Sequence, residues 1–318
     1  MTTLDHLKTS TLAFGRRLMG TAAAATLGLG LGLAVIAGAP APVLAQEAVD
    51  TGKPALWVIR DADSTIYLFG TVHLLRPETV WNSPVVDAAF DSADQIWFEI
   101  ENPDDQAAAL PLVQRYGIDR QTPLSSRLNA EEQAQLNTAA EAMGLSGPAF
   151  EPMRPWLAAL TLSMAPLTKA GYDPQSGVEL VLRARALEAG KPIDGLETIE
   201  EQLQILSGMS EDAQMAFLRS VLSDYENATV ELDRLVDAWA LGDVETLEDI
   251  GVTQMRAEGE EFYQNLLVKR NANWAVQIDT MMDGEGVIFI AVGAAHLAGD
   301  DSVQVLLEQR GFTVERIQ

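Results

Sequence analysis

The chain has 318 residues and a formal charge of -25, because 46 Asp and Glu outnumber 21 Lys and Arg, and this acidity argues against nucleic acids and anionic membrane surfaces as partners. It contains no Cys, which excludes disulfides, thiolate nucleophiles, iron–sulfur clusters and Cys-bound zinc. Only three His are present, so any imidazole chemistry depends on where they fall.

Residues 1–45 have the order of an export signal. Three basic residues precede an apolar run over residues 18–39, and small residues close the segment at Ala45. The sequence therefore predicts a signal peptide cleaved after Ala45, a periplasmic or secreted protein, and no stable membrane span after cleavage. Because the apolar run is long enough to cross a bilayer, a retained N-terminal membrane anchor is the alternative. His6 leaves with this segment, so two histidines remain.

The rest of the chain, residues 46–318, predicts strands, then helices, then strands. Runs rich in β-branched and aromatic residues, or alternating between apolar and polar, predict strands at residues 55–60, 64–69, 95–101, 287–292 and 312–317. Stretches rich in Ala, Leu, Glu and Gln predict helices at residues 124–143, 155–164, 177–189, 210–241 and 260–282. We expect a single α+β domain whose central sheet combines N- and C-terminal strands, with a large helical insertion at about residues 107–282.

Both remaining histidines lie in the same local sequence frame. An apolar strand runs into Gly70 and is followed three residues later by His73-Leu, and the same pattern recurs at Gly293 and His296. A Gly at the end of a strand permits a bend, and the following His would project from the carboxyl edge of the sheet. Ligand sites in α/β sheets usually form at such edges. The repetition favours a functional pair, although a single His at a strand end is usually a hydrogen-bonded structural residue.

Two such edges side by side would bring the imidazoles of His73 and His296 together. Glu99, near the end of the third predicted strand, could then complete a set of two His and one carboxylate, which leaves positions open for water and substrate. An open divalent metal site of this kind supports metal-assisted hydrolysis. The alternative for Glu99 is a solvated carboxylate on the polar face of the strand. The motifs of zincins, serine hydrolases and P-loop proteins are absent from the sequence.

These motifs resemble the TraB/GumN family, which is related to the Tiki proteins, membrane-associated metal-dependent proteases. The resemblance rests on the two Gly-x-x-His motifs with their flanks and on Glu99, and it extends to residues 195–198 and to Arg270-Asn271 with Trp274. It covers essentially the whole chain after the signal segment. It implies that His73, Glu99 and His296 surround a divalent metal, with Glu197 and Arg270 as catalytic polar residues lining the same cleft.

Glu197 and Arg270 each also have a simpler interpretation. Glu197 follows a short strand-and-turn segment and precedes a helix, so it is either a partner of the helix dipole or a base that accepts a proton from the attacking water. Arg270 either clamps an oxyanion or a substrate carboxylate, or forms a surface ion pair with a nearby Glu.

The sequence therefore predicts an exported metal-dependent hydrolase, and specifically a peptidase that acts on a peptide or protein through a metal-activated water. Two imidazoles and one carboxylate suit Zn, Mn, Co or Fe equally. One alternative is a non-catalytic protein that binds or inhibits a peptide or polysaccharide with the same fold. A metal-dependent esterase, which would use the same site on a more labile bond, is another.

Overall fold

The computed structural model describes residues 52–318, so the predicted signal segment lies outside the described residues. Six strands form one mixed sheet in the order β4-β3-β5-β2-β1-β6. They are β1 (Leu56–Arg60), β2 (Ser64–Thr71), β3 (Gln95–Ile100), β4 (Ile193–Glu197), β5 (Gly286–Gly293) and β6 (Val314–Arg316). The α+β class and the sheet shared by N- and C-terminal strands, both predicted from sequence, are confirmed.

The strand pairing determines which strands end at the same edge of the sheet. β1 and β2 form an antiparallel hairpin, and β6 adds antiparallel to β1. The other pairs are parallel, with β5 between β2 and β3, and β4 on the outer side of β3. Four adjacent parallel strands therefore end at the same edge. In the pairing of β2 with β5, the two Gly-x-x-His motifs are offset by one residue, because Thr71 rather than Gly70 pairs with Gly293.

The helices follow the predicted pattern in part, and the first two of them lie outside the ranges predicted from sequence. The α-helices are α1 (Pro84–Ser92), α2 (Gln106–Gly117), α3 (Ala130–Ala142), α4 (Pro155–Lys169), α5 (Val178–Glu188), α6 (Ile199–Ser207), α7 (Glu211–Asp224), α8 (Ala228–Ala240), α9 (Val244–Leu247), α10 (Gln254–Glu258), α11 (Glu260–Tyr263), α12 (Lys269–Met282) and α13 (Val303–Gln309). The helix predicted at 210–241 is divided into α7 and α8, and π-helical segments at Glu248–Thr253 and Gln264–Val268 interrupt the later helices. The helical insertion also contains β4, where only a strand-and-turn segment was predicted.

Alternating side chains of the sheet bury two apolar faces. Phe289 and Ala291 of β5 contact the larger core, which includes α4, α7 and α8. Ile290 and Val292 face the opposite core, where α12 and α13 pack. A strand that is covered on both faces consists of apolar residues throughout, which explains the continuous apolar run in β5. Within residues 52–318, no helix is long and apolar enough to cross a bilayer.

A carboxylate at the end of α10 is expected to make stability depend on pH. Oε2 of Glu258 is buried without a hydrogen-bond partner, and burial raises the pKa of this side chain well above its usual value, with the charge of Asp224 adding to the shift. The folded state therefore holds the proton more tightly than the unfolded chain. The stability that protonated Glu258 contributes to the folded state is fully present below the usual Glu pKa. It is lost as the pH rises through the folded-state pKa of this side chain.

Glu258→Gln should remove this dependence and raise the melting temperature at pH 8 relative to wild type, with a smaller gain at pH 5. Thermal unfolding followed by circular dichroism at both pH values measures the difference. Glu226→Gln, an exposed carboxylate before α8, serves as the control. Equal shifts of the melting temperature in the two variants would contradict the assignment of this pH dependence to Glu258.

Candidate functional site

Each of the four parallel strands brings one of the predicted site residues to the same edge of the sheet. His73 lies two residues after β2, and His296 lies in the 3-10 turn Ala294–Leu297 that follows β5. Glu99 lies within β3, and Glu197 is the last residue of β4. Parallel pairing thus gathers residues that are more than 200 positions apart in the chain.

The guanidinium of Arg270, on the first turn of α12, lies at the centre of these residues. Nε and Nη2 bind the two oxygens of Glu197 at 2.8 and 2.9 Å, and Nη2 also donates to Oε2 of Glu99 at 2.7 Å. Nη1 donates to the backbone carbonyl of Leu266 at 3.2 Å and to Nε2 of His296 at 3.0 Å. All five N–H groups of this buried side chain therefore have partners. The ion pair with Glu considered from sequence is present, but its expected surface location is wrong, because Arg270 is only 4% exposed.

The π-helical segment Gln264–Val268 lies just before α12 and supplies a backbone acceptor to this arrangement. In a π-helix each backbone hydrogen bond reaches one residue further along the chain than in an α-helix, so the regular i to i-4 hydrogen bonds are altered just before α12. The carbonyl of Leu266 accepts the bond from Arg270 in this region. Trp274, one turn along α12, lies under the guanidinium with a centroid distance of 4.7 Å. Both hydrogen bonds and an aromatic contact therefore hold the cation in place.

Glu99 is buried, and each of its oxygens has a partner. Oε1 accepts from the backbone N–H of Gly293 at 2.7 Å, and Oε2 accepts from Nε2 of Gln202 at 3.1 Å as well as from Arg270. Burial acts to raise the pKa of Glu99, but the charge of Arg270, together with the two histidines and the hydrogen bond from Gly293, outweighs this effect and holds the pKa below the usual value. Glu99 is therefore an anion in the folded protein, and the solvated carboxylate considered from sequence is wrong.

Glu197 differs from Glu99 in its proton affinity. Its side chain is 6% exposed, and burial raises its pKa above the usual value, although the charge of Arg270 opposes the shift. α6 begins immediately afterwards, and its capping box is formed by Thr198 and Glu201 rather than by Glu197. Glu197 is consequently free of any capping role and binds Arg270.

Hydrogen bonds fix the ring of His296. Nδ2 of Asn271 donates to the carbonyl of Asp301 at 2.8 Å, which turns Oδ1 of Asn271 towards Nδ1 of His296 at 2.5 Å. Nδ1 therefore carries the proton and Nε2 carries the lone pair. Burial, together with the charge of Arg270, lowers the pKa of His296 well below its usual value, so the ring is neutral. Its Nε2 lies 3.8 Å from Oε1 of Glu99.

His73 is held by a different carboxylate, from helix α5. Nδ1 of His73 lies 2.8 Å from Oε1 of Glu179, and the hydroxyl of Thr71 donates to the same oxygen. Burial acts to lower the pKa of His73, but the charge of Glu179 and the hydrogen bond to it raise the pKa above its usual value. The other ring nitrogen, Nε2, is buried and has no hydrogen-bond partner.

The structure brings all five sequence-predicted residues into one electrostatic network. Glu99, Glu197, Arg270 and His296 are linked by direct contacts, whereas His73 interacts with Glu99 and Arg270 through their charges. In the described part of the chain, no three His, Asp or Glu side chains are close enough together to form a metal-ligand group.

Sequence reasoning missed two buried residues of the site, Glu179 and Gln202. Glu179 lies on the same buried face of α5 as Leu182 and Ala186, and Gln202 lies one turn before Leu206 on the buried face of α6. A polar residue at an apolar position of a helix is the signal that could have identified each of them.

A cleft of about 290 Å³ opens beside the ion pair of Arg270 and Glu197. Its walls come from α6 and from the start of α12, with Gln204 on one side and Lys269 and Asn273 on the other. The cleft is small, and most of the residues that line it are polar. It gives a ligand from solvent access to the outer side of the buried network.

Fold and site together define an α+β protein with paired Gly-x-x-His motifs and a buried carboxylate–guanidinium network at the edge of a parallel sheet. The family model described as "TraB/PrgY/gumN family" matches residues 55–316. The chain therefore belongs to the TraB/PrgY/gumN family.

Curated relatives are similar over most of their length. A protein of Treponema pallidum (strain Nichols) described as uncharacterized is 24% identical over 267 residues, which cover 80% of this chain and 80% of that protein. The uncharacterized protein YbaP of Escherichia coli (strain K12) is 23% identical over 256 residues, covering 80% of this chain and 92% of YbaP. No solved structure matches the chain.

Proposed function

We propose that this protein is an exported metal-dependent hydrolase, and specifically a peptidase. The observation that carries the proposal is the orientation of the two imidazoles. His73 and His296 are each held at Nδ1 by an oxygen atom, from Glu179 and Asn271 respectively, which directs both Nε2 atoms away from those partners. Metal-binding histidines are oriented in this way by their outer partners.

The donor atoms are of the chemical types that bind a divalent cation. Nε2 of His73 is buried without a partner, as expected for an atom that lacks its ligand. Glu99, Glu179 and Glu197 supply three carboxylates, whereas Arg270 is the cation that contacts two of them. Buried negative charge in excess favours the uptake of a proton or a cation. His73, His296 and Glu99 would hold the metal, which is Zn, Mn, Co or Fe.

A bound divalent cation would acidify a water molecule and polarise a carbonyl group. The side chains of this chain supply the remaining functions. Glu197, whose pKa is raised by burial, accepts a proton at its carboxylate. If Nη1 of Arg270 were displaced from His296 by a metal, the released N–H would be able to stabilise negative charge that develops on the substrate oxygen. The cleft beside Glu197 is where a peptide or protein substrate would approach the network, and the acidic composition disfavours nucleic acids.

The state of Arg270 also supports a second candidate, a non-catalytic protein that binds a peptide or polysaccharide. Every N–H of the guanidinium already has a partner, and Nη1 occupies the lone pair of His296. A metal must displace this bond before it can bind His296. A site that keeps the bond permanently would be a rigid recognition surface rather than a catalytic one.

Metal content and turnover should be measured on protein purified from the exported fraction without chelators. We expect elemental analysis to find one divalent metal per chain, and matched amide and ester substrates to show peptide-bond hydrolysis that a chelator abolishes. A protein that neither contains nor takes up Zn, Mn, Co or Fe would contradict the proposal. Metal-replete protein that cleaves only the ester would be an esterase. Tight peptide binding without turnover would favour the second candidate.

A further inference from the structure

We propose that Glu179 is a positioning residue that holds His73 in the tautomer and ring orientation required for metal binding. The inference rests on the proposed function, since it assigns Nε2 of His73 to a metal. Neither the sequence motifs nor the similarity to other proteins assigns any role to Glu179. Its carboxylate binds His73 and Thr71, and this contact is separate from the hydrogen bonds around the guanidinium of Arg270.

The contact between Glu179 and His73 is short and shielded from solvent. Oε1 of Glu179 lies 2.8 Å from Nδ1 of His73, and the side chains are 10% and 15% exposed. A carboxylate is an acceptor only, so Nδ1 must carry the proton. The neutral ring then has its lone pair on Nε2, which is the buried atom without a partner.

Thr71 makes the position of the carboxylate specific. Its hydroxyl donates to the same oxygen, Oε1, that binds His73. Thr71 is the last residue of β2, so the strand fixes both the donor that holds Glu179 and, two residues later, the ring that Glu179 orients. The orientation of His73 is therefore transmitted from the sheet through a buried carboxylate.

The start of α5 is attached directly to the segment that carries His73. The backbone N–H of Val178 donates to the carbonyl of Val72 at 3.1 Å. A Cβ atom on Gly177 would lie only 2.4 Å from the carbonyl oxygen of His73, so a side chain at this position would push the two segments apart. Glycine is thus needed for the close approach that brings Glu179 to the ring.

His296 has the same arrangement with a neutral partner, which makes the charge of Glu179 the distinguishing feature. Asn271 holds Nδ1 of His296 through an amide oxygen, whereas Glu179 holds Nδ1 of His73 through a carboxylate. A carboxylate partner increases the electron density on the opposite nitrogen and makes it a stronger ligand. Glu179 therefore both orients His73 and strengthens it as a donor.

The test compares Glu179→Ala, Glu179→Gln and the control Glu188→Gln, an exposed carboxylate at the end of the same helix. Cobalt and zinc affinities are measured by competition with a chromophoric chelator. Loss of an outer partner weakens metal binding by about 10- to 100-fold, and we expect a loss of this size for Glu179→Ala. Glu179→Gln keeps an acceptor without the charge and should lie between Glu179→Ala and wild type.

A second readout does not require metal. Long-range proton–nitrogen NMR spectra of the metal-free protein, at a pH where the rings are neutral, report which nitrogen of each His is protonated. The His73 signals are assigned by their loss in His73→Gln. We expect Nδ1–H in wild type and in Glu188→Gln, and a shift towards Nε2–H in Glu179→Ala.

The two readouts separate the two proposals. Unchanged metal affinity and an unchanged His73 tautomer in Glu179→Ala, in a variant whose circular dichroism matches wild type, would overturn the role of Glu179. If wild type binds no metal, the proposed function fails. The NMR comparison then decides by itself whether Glu179 orients the ring.

Discussion

Replacing Arg270 with Met is expected to lower the free energy of unfolding by about 3–5 kcal/mol, the usual effect of removing one partner of a buried ion pair. Glu99 and Glu197 depend on this guanidinium, and their side chains are 5% and 6% exposed. Without it, both carboxylates remain in the interior with no cation in direct contact. Urea unfolding followed by circular dichroism at pH 7.5 measures the loss.

The matched control is Arg310→Met. Arg310 lies 2.6 Å from Asp279, but the two side chains are 35% and 40% exposed. Solvent screens such a pair, so its removal should cost no more than about 1 kcal/mol. Adding Glu99→Gln and Glu197→Gln to Arg270→Met should recover part of the loss, because no uncompensated charge is then buried. Similar losses in the two single Arg variants would contradict the central role of Arg270.

Replacing His73 or His296 with Ala should weaken metal binding more than the loss of an outer partner does, by more than about 100-fold, and should abolish hydrolysis. Each substitution removes one of the two imidazole nitrogens proposed as ligands. Metal affinity is measured by isothermal titration, with circular dichroism to check the fold. This check matters for His296, which is fully buried and whose loss leaves a cavity.

Asn273→Ala provides the control, because this exposed residue lines the cleft without contacting either His. It should retain wild-type metal affinity. If a folded His73→Ala or His296→Ala variant still bound one metal ion tightly, the replaced residue would not be a metal ligand. If both variants retained it, the metal would have to bind elsewhere.

The sequence predicted the sheet because its strands carry local patterns. β2 and β5 are apolar runs that end in Gly-x-x-His motifs, and β3 alternates over its length. β4 was harder to predict, because Asp194 and Gly195 weaken the strand pattern and the strand pairs only with β3. The break between α7 and α8 also lacks a Gly or Pro, so no local signal marked it.

The site was predicted only to the extent that its residues share a motif. The repeated frame identified His73 and His296, and the end of a strand identified Glu99. The ion pair of Arg270 with Glu99 spans 171 positions, and no spacing rule connects a helix start to a strand that far away. Glu179 could not be paired with His73 because their contact depends on where Gly177 lets α5 approach the sheet.

The position of β5 determines when this protein can fold during its synthesis. β2 and β3 do not touch each other, since each pairs with a different side of β5, which is made about 190 residues after β3. Until β5 emerges from the ribosome, neither parallel ladder on its sides exists and β2, β3 and β4 cannot be joined in one sheet. Contacts this distant in sequence form slowly. The nascent chain therefore stays without its central strand for most of translation.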